Sequence, residues 1–365
     1  MITLSSAERA AALAIGEREF RAGKVAVLVV AGGQGSRLGY EGPKGAYPIG
    51  PVTGKSIFYF HARKIVGLKK RYGVSIPFYI MTSVVNDAQT KAHFAENGFF
   101  GLDKSDVIFF QQGVWPALTA DGKLILDAPG HIFMSPDGHG GTIAALDKNG
   151  CLADMERRGI TSVFYFQVDN PLVEIADPAF IGLHVSEGAD VSIKVCAKRD
   201  PWEKVGVVAM RDGHTEIVEY TELTDEQKER TTENGELYFN YGSVGIHVFS
   251  LDFLKSESTR IMPLHLAKKE IPMCDDFGNV EKRDGYKFEK LIFDVLPNAK
   301  KVVCLAFDRA DEFSPVKNPV KDKEGNLCGD SPATCQRDMQ AKWRRQLAER
   351  GECVPDGPLE RDPAD

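Results

Sequence analysis

An apolar run followed at once by a glycine-rich loop constrains the fold of this chain more than any other stretch. Residues 27–30 read Val-Leu-Val-Val, which is typical of a strand buried on both faces of a parallel sheet. In the loop that follows, we expect Gly32, Gly33 and Gly35 to adopt positive φ and to direct successive N–H groups at an anion of phosphate size. The countercharge would come from the cations that come next, Arg37 and Lys44.

Two familiar phosphate-binding motifs do not fit this region. The dinucleotide fingerprint G-x-G-x-x-G, counted from Gly33, has Leu38 at its sixth position. A P-loop that ends at residues 54–56 would need glycine at position 49, which is Ile49, and no strand precedes it. The pattern alone also allows a tight turn that binds no ligand.

Composition narrows the class of protein. With 365 residues and 43% hydrophobic content, the chain exceeds one average domain and can bury a large core. A formal charge of -7, without a basic run interleaved with aromatics, argues against nucleic acid as a partner. Seven scattered cysteines without a CxxC pair indicate reduced thiols and no structural zinc. Because Glu8 and Arg9 interrupt the N-terminus, we expect neither a signal peptide nor a membrane span, and a cytoplasmic location.

Strand-like and helix-like segments alternate along the first half of the chain, which predicts a doubly wound α/β sheet. A capped lead-in helix is expected over 5–22, ending at Gly23. Residues 114–131 resemble a hairpin insertion. The other expected helices are 57–68 and 86–97, and the expected strands are 76–81, 107–110 and 162–168.

The later part of the chain changes character. From Lys321 the composition is polar, so we expect a basic helix over 336–350 in a C-terminal segment that packs loosely and frays at its end. Before it we expect a helix near Leu254, a polar crossing, a helix over 288–295 and a last strand over 302–307. An antiparallel extension is predicted by four strand-like pieces joined by turns, at 191–196, 205–210, 216–220 and 244–249.

Several short motifs recur, in the same order, in a known family. They lie at residues 31–39 with 43–45, 108–113, 135–141, 168–170, 218–220 and 311–318. On these motifs the chain resembles the eukaryotic-type UDP-sugar pyrophosphorylases, and most of all the UDP-N-acetylhexosamine (UDP-N-acetylglucosamine) pyrophosphorylases. The resemblance implies a Rossmann-like nucleotidyltransferase fold, with a doubly wound mixed sheet and an antiparallel extension on the sugar side. It divides the chain into a lead-in helix (1–24), a nucleotidyltransferase domain (25–318) and a short C-terminal segment (319–365).

The activity implied by the resemblance is transfer of UMP from UTP to N-acetylglucosamine 1-phosphate, giving UDP-N-acetylglucosamine and pyrophosphate, with Mg²⁺ or Mn²⁺ as cofactor. An alternative is a UTP–glucose-1-phosphate uridylyltransferase or a broad-specificity UDP-sugar pyrophosphorylase. A more remote one is a non-catalytic UDP-sugar sensor. The implied partners are UTP, a sugar 1-phosphate, a UDP-sugar and pyrophosphate. Because the C-terminal segment is shorter than is usual in the family, we expect a monomer or a weak homo-oligomer.

Catalytic and nucleotide-binding roles are carried over at matching positions. The Gln112 amide can donate and accept at once, which suits the mixed edge of uracil. Asp169 follows an apolar strand and would hold the metal between phosphates. The implied catalytic residues are Arg37, Lys44 and Lys317. The implied nucleotide-binding residues are Ala31, Gly32, Gly33, Gly35, Gln112, Gly138, Asp169 and Lys287.

The implied sugar-binding residues show two departures from the closest family pattern. His139 and Ser243 stand where the N-acetylhexosamine enzymes commonly carry asparagine. His139 is closer to the Gly-His-Gly turn of UDP-glucose pyrophosphorylases, which keeps the glucose alternative open. The full implied set is His139, Glu219, Tyr220, Asn240, Gly242 and Ser243.

Overall fold

The polypeptide is organised around one large mixed sheet. The computed structural model describes residues 2–275 and 277–365. In chain order the described strands are β1 Val25–Val30, β2 Phe78–Thr82, β3 Val107–Gln111, β4 Val114–Pro116, β5 Leu118–Thr119, β6 Leu126–Ala128, β7 His131–Ile132, β8 Met134–Pro136, β9 Ser162–Gln167, β10 Val191–Ala197, β11 Val207–Arg211, β12 His214–Val218, β13 Tyr241–Ser250, β14 His265–Cys274, β15 Val280–Glu289 and β16 Val302–Ala306.

Helices connect the strands at the centre of the main sheet. The described α-helices are α1 Ser6–Arg21, α2 Ile57–Tyr72, α3 Asp87–Glu96, α4 Thr142–Lys148, α5 Cys151–Arg157, α6 Pro178–Ser186, α7 Asp225–Glu229, α8 Leu251–Ser258, α9 Arg309–Glu312 and α10 Pro332–Glu349. Within the described ranges, no helix combines the length and the apolarity that a membrane crossing requires.

The strand order of the main sheet confirms the predicted fold class. The order is β12-β11-β13-β9-β1-β2-β3, and β10 pairs with both β13 and β16. The pairs of β1 with β2 and β9, and of β2 with β3, are parallel. β13 runs antiparallel to β9 and β10, and β11 runs antiparallel to β12. The sheet is therefore doubly wound and mixed, with an antiparallel extension on one side.

The central strand β1 is covered on both faces, as its apolar sequence predicts. Val27 and Val29 belong to one apolar core, whereas Ala26 and Leu28 belong to the core on the other face. Successive side chains of a strand point to opposite faces of the sheet. A strand that is covered on both faces therefore needs an apolar residue at every position. Because β1, β2, β3 and β9 run parallel, their carboxyl ends meet at one edge of the sheet. The glycine loop lies at this edge.

Helix α2 shows how local sequence sets the boundaries of an element that follows the glycine loop. The Ser56 side chain accepts from the N–H of Tyr59 and caps the helix, and the chain leaves it at Gly73 with φ 68°. Apolar residues at helical spacing, Ile57, Phe58 and Ile65 among them, face the core.

The helix expected over 288–295 is wrong. The strand β15 extends to Glu289, and a 3-10 helix follows over Ile292–Asn298. The polar crossing expected before it is a long hairpin of β14 and β15, whose other partner is the short strand β5. Because much of this hairpin is exposed, its sequence lacks the alternation of apolar and polar residues from which a strand is normally predicted.

The expectation that the C-terminal segment packs loosely is also wrong. The helix α10 places a stripe of residues four apart against the body of the protein, namely Cys335, Met339, Trp343 and Leu347. The segment after it returns to α2, where the Asp362 carboxylate accepts from Arg63 Nε at 2.7 Å and from the Tyr59 hydroxyl at 3.0 Å. Average polarity concealed this stripe, because the exposed face of α10 is strongly charged.

Candidate active site

The predicted backbone conformation of the glycine loop is wrong. Gly35 has φ −81°, and neither Gly32 nor Gly33 is among the described residues with positive φ. Positive φ occurs further along, at Gly39 (71°) and Gly42 (140°). The chain reverses there because the Gly35 N–H donates to the carbonyl of Gly42 at 2.9 Å, which closes the loop after a short 3-10 turn.

Gly32 is required for close approach and not for backbone freedom. The N–H of Gln112 donates to the carbonyl of Thr82 at 2.9 Å, which folds the chain after β3 over the end of β2. The Gln112 amide then lies against the glycine loop, where a Cβ on Gly32 would come within 2.3 Å of Oε1. On Gly33 a Cβ would meet no atom within 4 Å, so this position of the loop faces open space.

The side chain of Asn86 is hydrogen-bonded to the backbone of the glycine loop. This residue is fully buried, and its Nδ2 donates to the carbonyls of Ala31 at 2.8 Å and Gly33 at 3.3 Å. Its Oδ1 accepts from the N–H of Ser83. Asn86 was not among the residues predicted from the sequence, although a polar residue three positions after Ser83, just beyond a buried strand, is a recognisable signal.

Lys44 and Asp169 face each other across the edge of the sheet. Lys44 is buried, its N–H donates to the carbonyl of Gly33 at 3.0 Å, and its Nζ lies 3.5 Å from Asp169 Oδ2. Asp169 follows β9, as predicted. Arg37 differs, because its side chain is exposed and forms no ion pair with the carboxylates in the described ranges.

A polar cavity opens beside Asp169. The predicted residues His139, Glu219, Ser243 and Lys317 line it together with Asp169. The walls come from the antiparallel extension, from the turn that carries His139 and from the loop that follows α9. Five residues that lie far apart in the sequence are thus brought to one place.

Both histidines of this cavity are neutral at physiological pH. Burial, together with the nearby His265, lowers the pKa of His139 to about 4. Its Nδ1 accepts from the N–H of Ile292 at 3.1 Å, so the ring proton is assigned to Nε2. Burial likewise lowers the pKa of His247 to about 3. The cavity therefore offers imidazole hydrogen bonds without positive charge.

Glu219 is the second carboxylic acid of the cavity, besides Asp169. Burial raises the pKa of this carboxyl, and the nearby Glu222 raises it further, while His265 and Lys317 lower it. A carboxylate at this position can accept hydrogen bonds from hydroxyl groups of a ligand.

Gly138 has φ 82°, which favours glycine, in a turn that pairs with Lys290. A Cβ on Gly138 would lie 2.5 Å from the Lys290 carbonyl oxygen. The Lys290 N–H donates to the carbonyl of Asp137, and the Gly140 N–H donates to that of Lys290, both at 2.8 Å. Asp137 and Gln112 also share a second cavity. The Asp137 N–H donates to the carbonyl of Gly113 at 3.0 Å, so the turn is held beside the residue that follows Gln112.

Apart from the predicted residues already placed in the glycine loop and at its neighbours, four others lie outside the cavity beside Asp169. The Lys287 ammonium, on β15, lies 5.2 Å from the centre of the Phe133 ring. Tyr220 is half-buried, and so is Asn240, whose carbonyl accepts from the Lys198 N–H at 2.8 Å. The fourth is Gly242, which is buried and packs against Val205.

Three polar residues that line the cavity were missed, namely Gln167, Lys204 and His247. Gln167 is the last residue of β9 and directly precedes the segment that carries Asp169. His247 interrupts the apolar part of β13, and a polar residue inside a buried strand is itself a signal of function. Lys204 lies in a polar stretch, and we find no sequence signal that would have selected it.

The residues present fit a magnesium ion. Within the described ranges, no three His, Cys, Asp or Glu side chains come together to hold an ion by themselves. Mg²⁺ is commonly bound through one or two carboxylates, with phosphate oxygens and water completing the octahedron. Asp169, partly exposed beside the open face of the glycine loop, offers such a carboxylate.

Comparison with known proteins identifies the family. The family model described as UTP–glucose-1-phosphate uridylyltransferase (UDPGP) matches residues 7–322. The chain belongs to this family. A relative in Homo sapiens, UDP-N-acetylhexosamine pyrophosphorylase-like protein 1, is 42% identical over 315 residues, which cover 83% of this chain and 62% of that one. The present chain thus spans less than two thirds of the length of the human relative.

Two further comparisons cover more of this chain. UDP-N-acetylglucosamine pyrophosphorylase of Saccharomyces cerevisiae is 38% identical over 350 residues, covering 92% of this chain and 72% of that protein. The crystal structure of the Trypanosoma brucei uridine diphosphate N-acetylglucosamine pyrophosphorylase, in complex with an inhibitor, superposes with a TM-score of 0.85 at 32% identity. It covers 96% of this chain and 73% of that one. The resemblance stated from the sequence motifs is confirmed.

Proposed function

We propose that the chain is a uridylyltransferase that transfers UMP from UTP to N-acetylglucosamine 1-phosphate, releasing pyrophosphate and forming UDP-N-acetylglucosamine. One observation carries the proposal. Lys44 and Asp169, 3.5 Å apart, join the open face of the glycine loop to the cavity that contains Glu219 and Lys317. A nucleoside triphosphate and a sugar phosphate would meet at this pair. The names of the relatives support the same reaction.

In the proposed reaction, an oxygen of the sugar phosphate attacks the α-phosphorus of UTP. A new P–O bond forms on one side while the bond to the β-phosphate oxygen breaks on the other, and pyrophosphate leaves with the bonding electrons. The nucleophile is already anionic, so no general base is needed, and catalysis consists of positioning and neutralisation of charge. A magnesium ion on Asp169 would supply further neutralisation between the phosphates.

Each cation has a proposed place in this reaction. Lys44 is tethered to the carbonyl of Gly33 and would bind the β- and γ-phosphates together with the glycine loop and Arg37. Lys317 lies on the far side of Asp169, in the cavity, and would neutralise the incoming sugar phosphate, with Lys287 as a second candidate for the phosphates. The flexible ammonium groups of Lys317 and Lys287 suit phosphates that shift during the reaction.

The uracil base is proposed to bind between the Gln112 amide and the turn at Gly138. Gln112 is buried with its oxygen against Gly32, so its orientation is restricted before any ligand arrives. A restricted amide loses little conformational entropy when it binds, which favours recognition of one base edge.

One observation favours the glucose alternative. The family asparagine is replaced by His139, whose Nδ1 is already occupied by the Ile292 N–H. This leaves a single donor, Nε2–H, where an asparagine offers both a donor and an acceptor. With Glu219, Tyr220, Asn240, Gly242 and Ser243 as the other proposed contacts, His139 is the residue from which we expect an altered sugar preference.

The test is pyrophosphate release from UTP and Mg²⁺ with four sugar 1-phosphates in parallel: N-acetylglucosamine, N-acetylgalactosamine, glucose and galactose. Preference for N-acetylglucosamine would support the proposal, and preference for a plain hexose would support the alternative. The variant Asp169→Asn, almost the same size but uncharged, controls for contaminating enzymes. Binding of a UDP-sugar with no pyrophosphate release for any sugar would indicate the non-catalytic sensor instead.

We further propose a cytoplasmic enzyme that uses Mg²⁺ or Mn²⁺ and is a monomer or weak homo-oligomer, with residues 25–318 forming the catalytic unit. The cytoplasmic location is supported by the scattered cysteines, which are all free in the structure. Light scattering across a concentration series, and activity with each metal after treatment with a chelator, test the oligomeric state and the cofactor.

A further inference from the structure

Asn170 follows the proposed metal ligand Asp169 directly, yet its side chain takes no part in the functions proposed above. It is 4% exposed, and it is hydrogen-bonded to the stretch over residues 312–318. We call this stretch the lysine loop, because it carries Lys317. The position of Lys317 relative to Asp169 depends on how the lysine loop is attached to the end of β9.

The attachment consists of three hydrogen bonds to two consecutive residues. Asn170 Nδ2 donates to the carbonyl of Glu312 at 2.7 Å, and Asn170 Oδ1 accepts from the N–H of Ser314 at 3.1 Å. The N–H of Val316 donates to the carbonyl of Asp169 at 2.7 Å. The Asn170 side chain thus supplies hydrogen-bond partners for one carbonyl and one N–H of the lysine loop. Without it, these two backbone groups would be buried without partners.

The lysine loop is also fixed from its outer side. The Ser314 hydroxyl donates to Asp338 Oδ2 on α10 at 2.8 Å. The N–H of Lys317 donates to the carbonyl of Asp330 at 2.7 Å. At its start, the Glu312 carboxylate pairs with Lys194, which is 1% exposed. Without the Asn170 side chain these contacts would keep the loop folded, but its link to the end of β9 would be reduced to the hydrogen bond between Val316 and Asp169.

We propose that Asn170 is a positioning residue, which fixes Lys317 relative to Asp169 for the approach of the sugar phosphate. The inference rests on the proposed function and assigns a further residue to it. Asn170 does not line the cavity in which the sugar phosphate is proposed to bind. Misplacement of a charged group by about 1 Å can reduce a rate by about 100-fold, so an attachment of this kind is sufficient to control the reaction.

The experiment compares steady-state kinetics of the wild-type chain with those of Asn170→Ala. We expect KM for the sugar 1-phosphate to rise at least about tenfold and kcat to fall by about 10- to 100-fold. KM for UTP should stay within about twofold, because Gln112 and the glycine loop lie at the ends of β3 and β1 and are held by other contacts.

The matched control is Asn298→Ala. Asn298 Nδ2 donates to the buried Glu257 carboxylate at 2.7 Å, and neither residue lines the cavity beside Asp169. This variant should lose stability without separating the two KM values. If Asn170→Ala also leaves the ratio of the two KM values unchanged, the proposed role is refuted.

A second variant keeps the inference testable if Asn170→Ala does not fold. Asn170→Asp retains the acceptor for Ser314 but presents a carboxylate oxygen to the Glu312 carbonyl. Because this variant keeps the shape and loses the donor, we expect KM for the sugar 1-phosphate to rise more than KM for UTP, and an unchanged ratio of the two KM values would refute the role. An inactive wild-type chain would instead refute the proposed function itself, so the two failures are distinguishable.

Discussion

Replacing Gly32 with alanine should impair uridine binding while leaving the fold almost intact. The new Cβ would lie 2.3 Å from Gln112 Oε1, where ordinary contact begins at 3.4 Å, so the amide must move by about 1 Å. The atom in the way is the far end of a flexible side chain, and we expect a loss of stability below about 1 kcal/mol. A displaced amide would leave hydrogen bonds to uracil unmade, at about 2 kcal/mol, which raises KM for UTP by about 30-fold.

The assay measures KM for UTP and the free energy of unfolding in urea for each variant. Gly357→Ala is the control, because a Cβ there meets no atom within 4 Å. A double-mutant cycle gives the decisive comparison: in the Gln112→Ala background the oxygen is absent, so Gly32→Ala should have little further effect. An equal penalty in both backgrounds, or a KM for UTP within twofold of wild type in the single variant, would refute the reasoning.

Three further predictions concern catalysis, packing and pH. Lys44→Met should lower kcat by at least about 100-fold with a small change in melting temperature, since the ammonium pairs with Asp169 beside the proposed phosphate site; near-normal turnover would contradict its role. Trp343→Ala should cost about 3 to 5 kcal/mol of unfolding free energy in urea, because this ring is 9% exposed and packs on Phe60, and a loss below 1 kcal/mol would mean that α10 is peripheral. Stability should fall between pH 7 and pH 5, by about 2 kcal/mol for each buried histidine, since the unfolded chain takes up protons near pH 6.5 and the folded chain only near pH 3 to 4; equal unfolding free energies at both pH values would argue against neutral histidines. The histidines concerned are His61, His139, His184 and His247.

The sequence was sufficient to predict the main sheet and several residues of the site. Buried parallel strands are nearly pure apolar runs, so β1, β2, β3 and β9 were recognisable from composition over a few residues. Polar or glycine residues placed directly after such strands, such as Gly32, Gln112 and Asp169, lie at the edge of the sheet where ligands bind. Their proximity follows from strand order, which the family resemblance supplied.

The errors have a common physical origin. The hairpin of β14 and β15 is stabilised by pairing in a largely exposed position, so its residues show no apolar period. The C-terminal segment packs through one residue in four, which average polarity does not show. In the glycine loop, Gly32 avoids a contact with a side chain 80 residues away in the sequence, and that contact is decided by tertiary structure.

Two buried asparagines explain how irregular loops can form a rigid site. Loops at a sheet edge leave backbone carbonyls and N–H groups without strand partners, and each such group is costly when buried. Asn86 pairs with the carbonyls of Ala31 and Gly33, while Asn170 pairs with both a carbonyl and an N–H of the lysine loop. An aspartate has the same shape but, when ionised, lacks the donor that both attachments use. The carbonyls to which these amides are attached belong to the loops that carry the proposed phosphate contacts, so the geometry of the site is set before substrate binds.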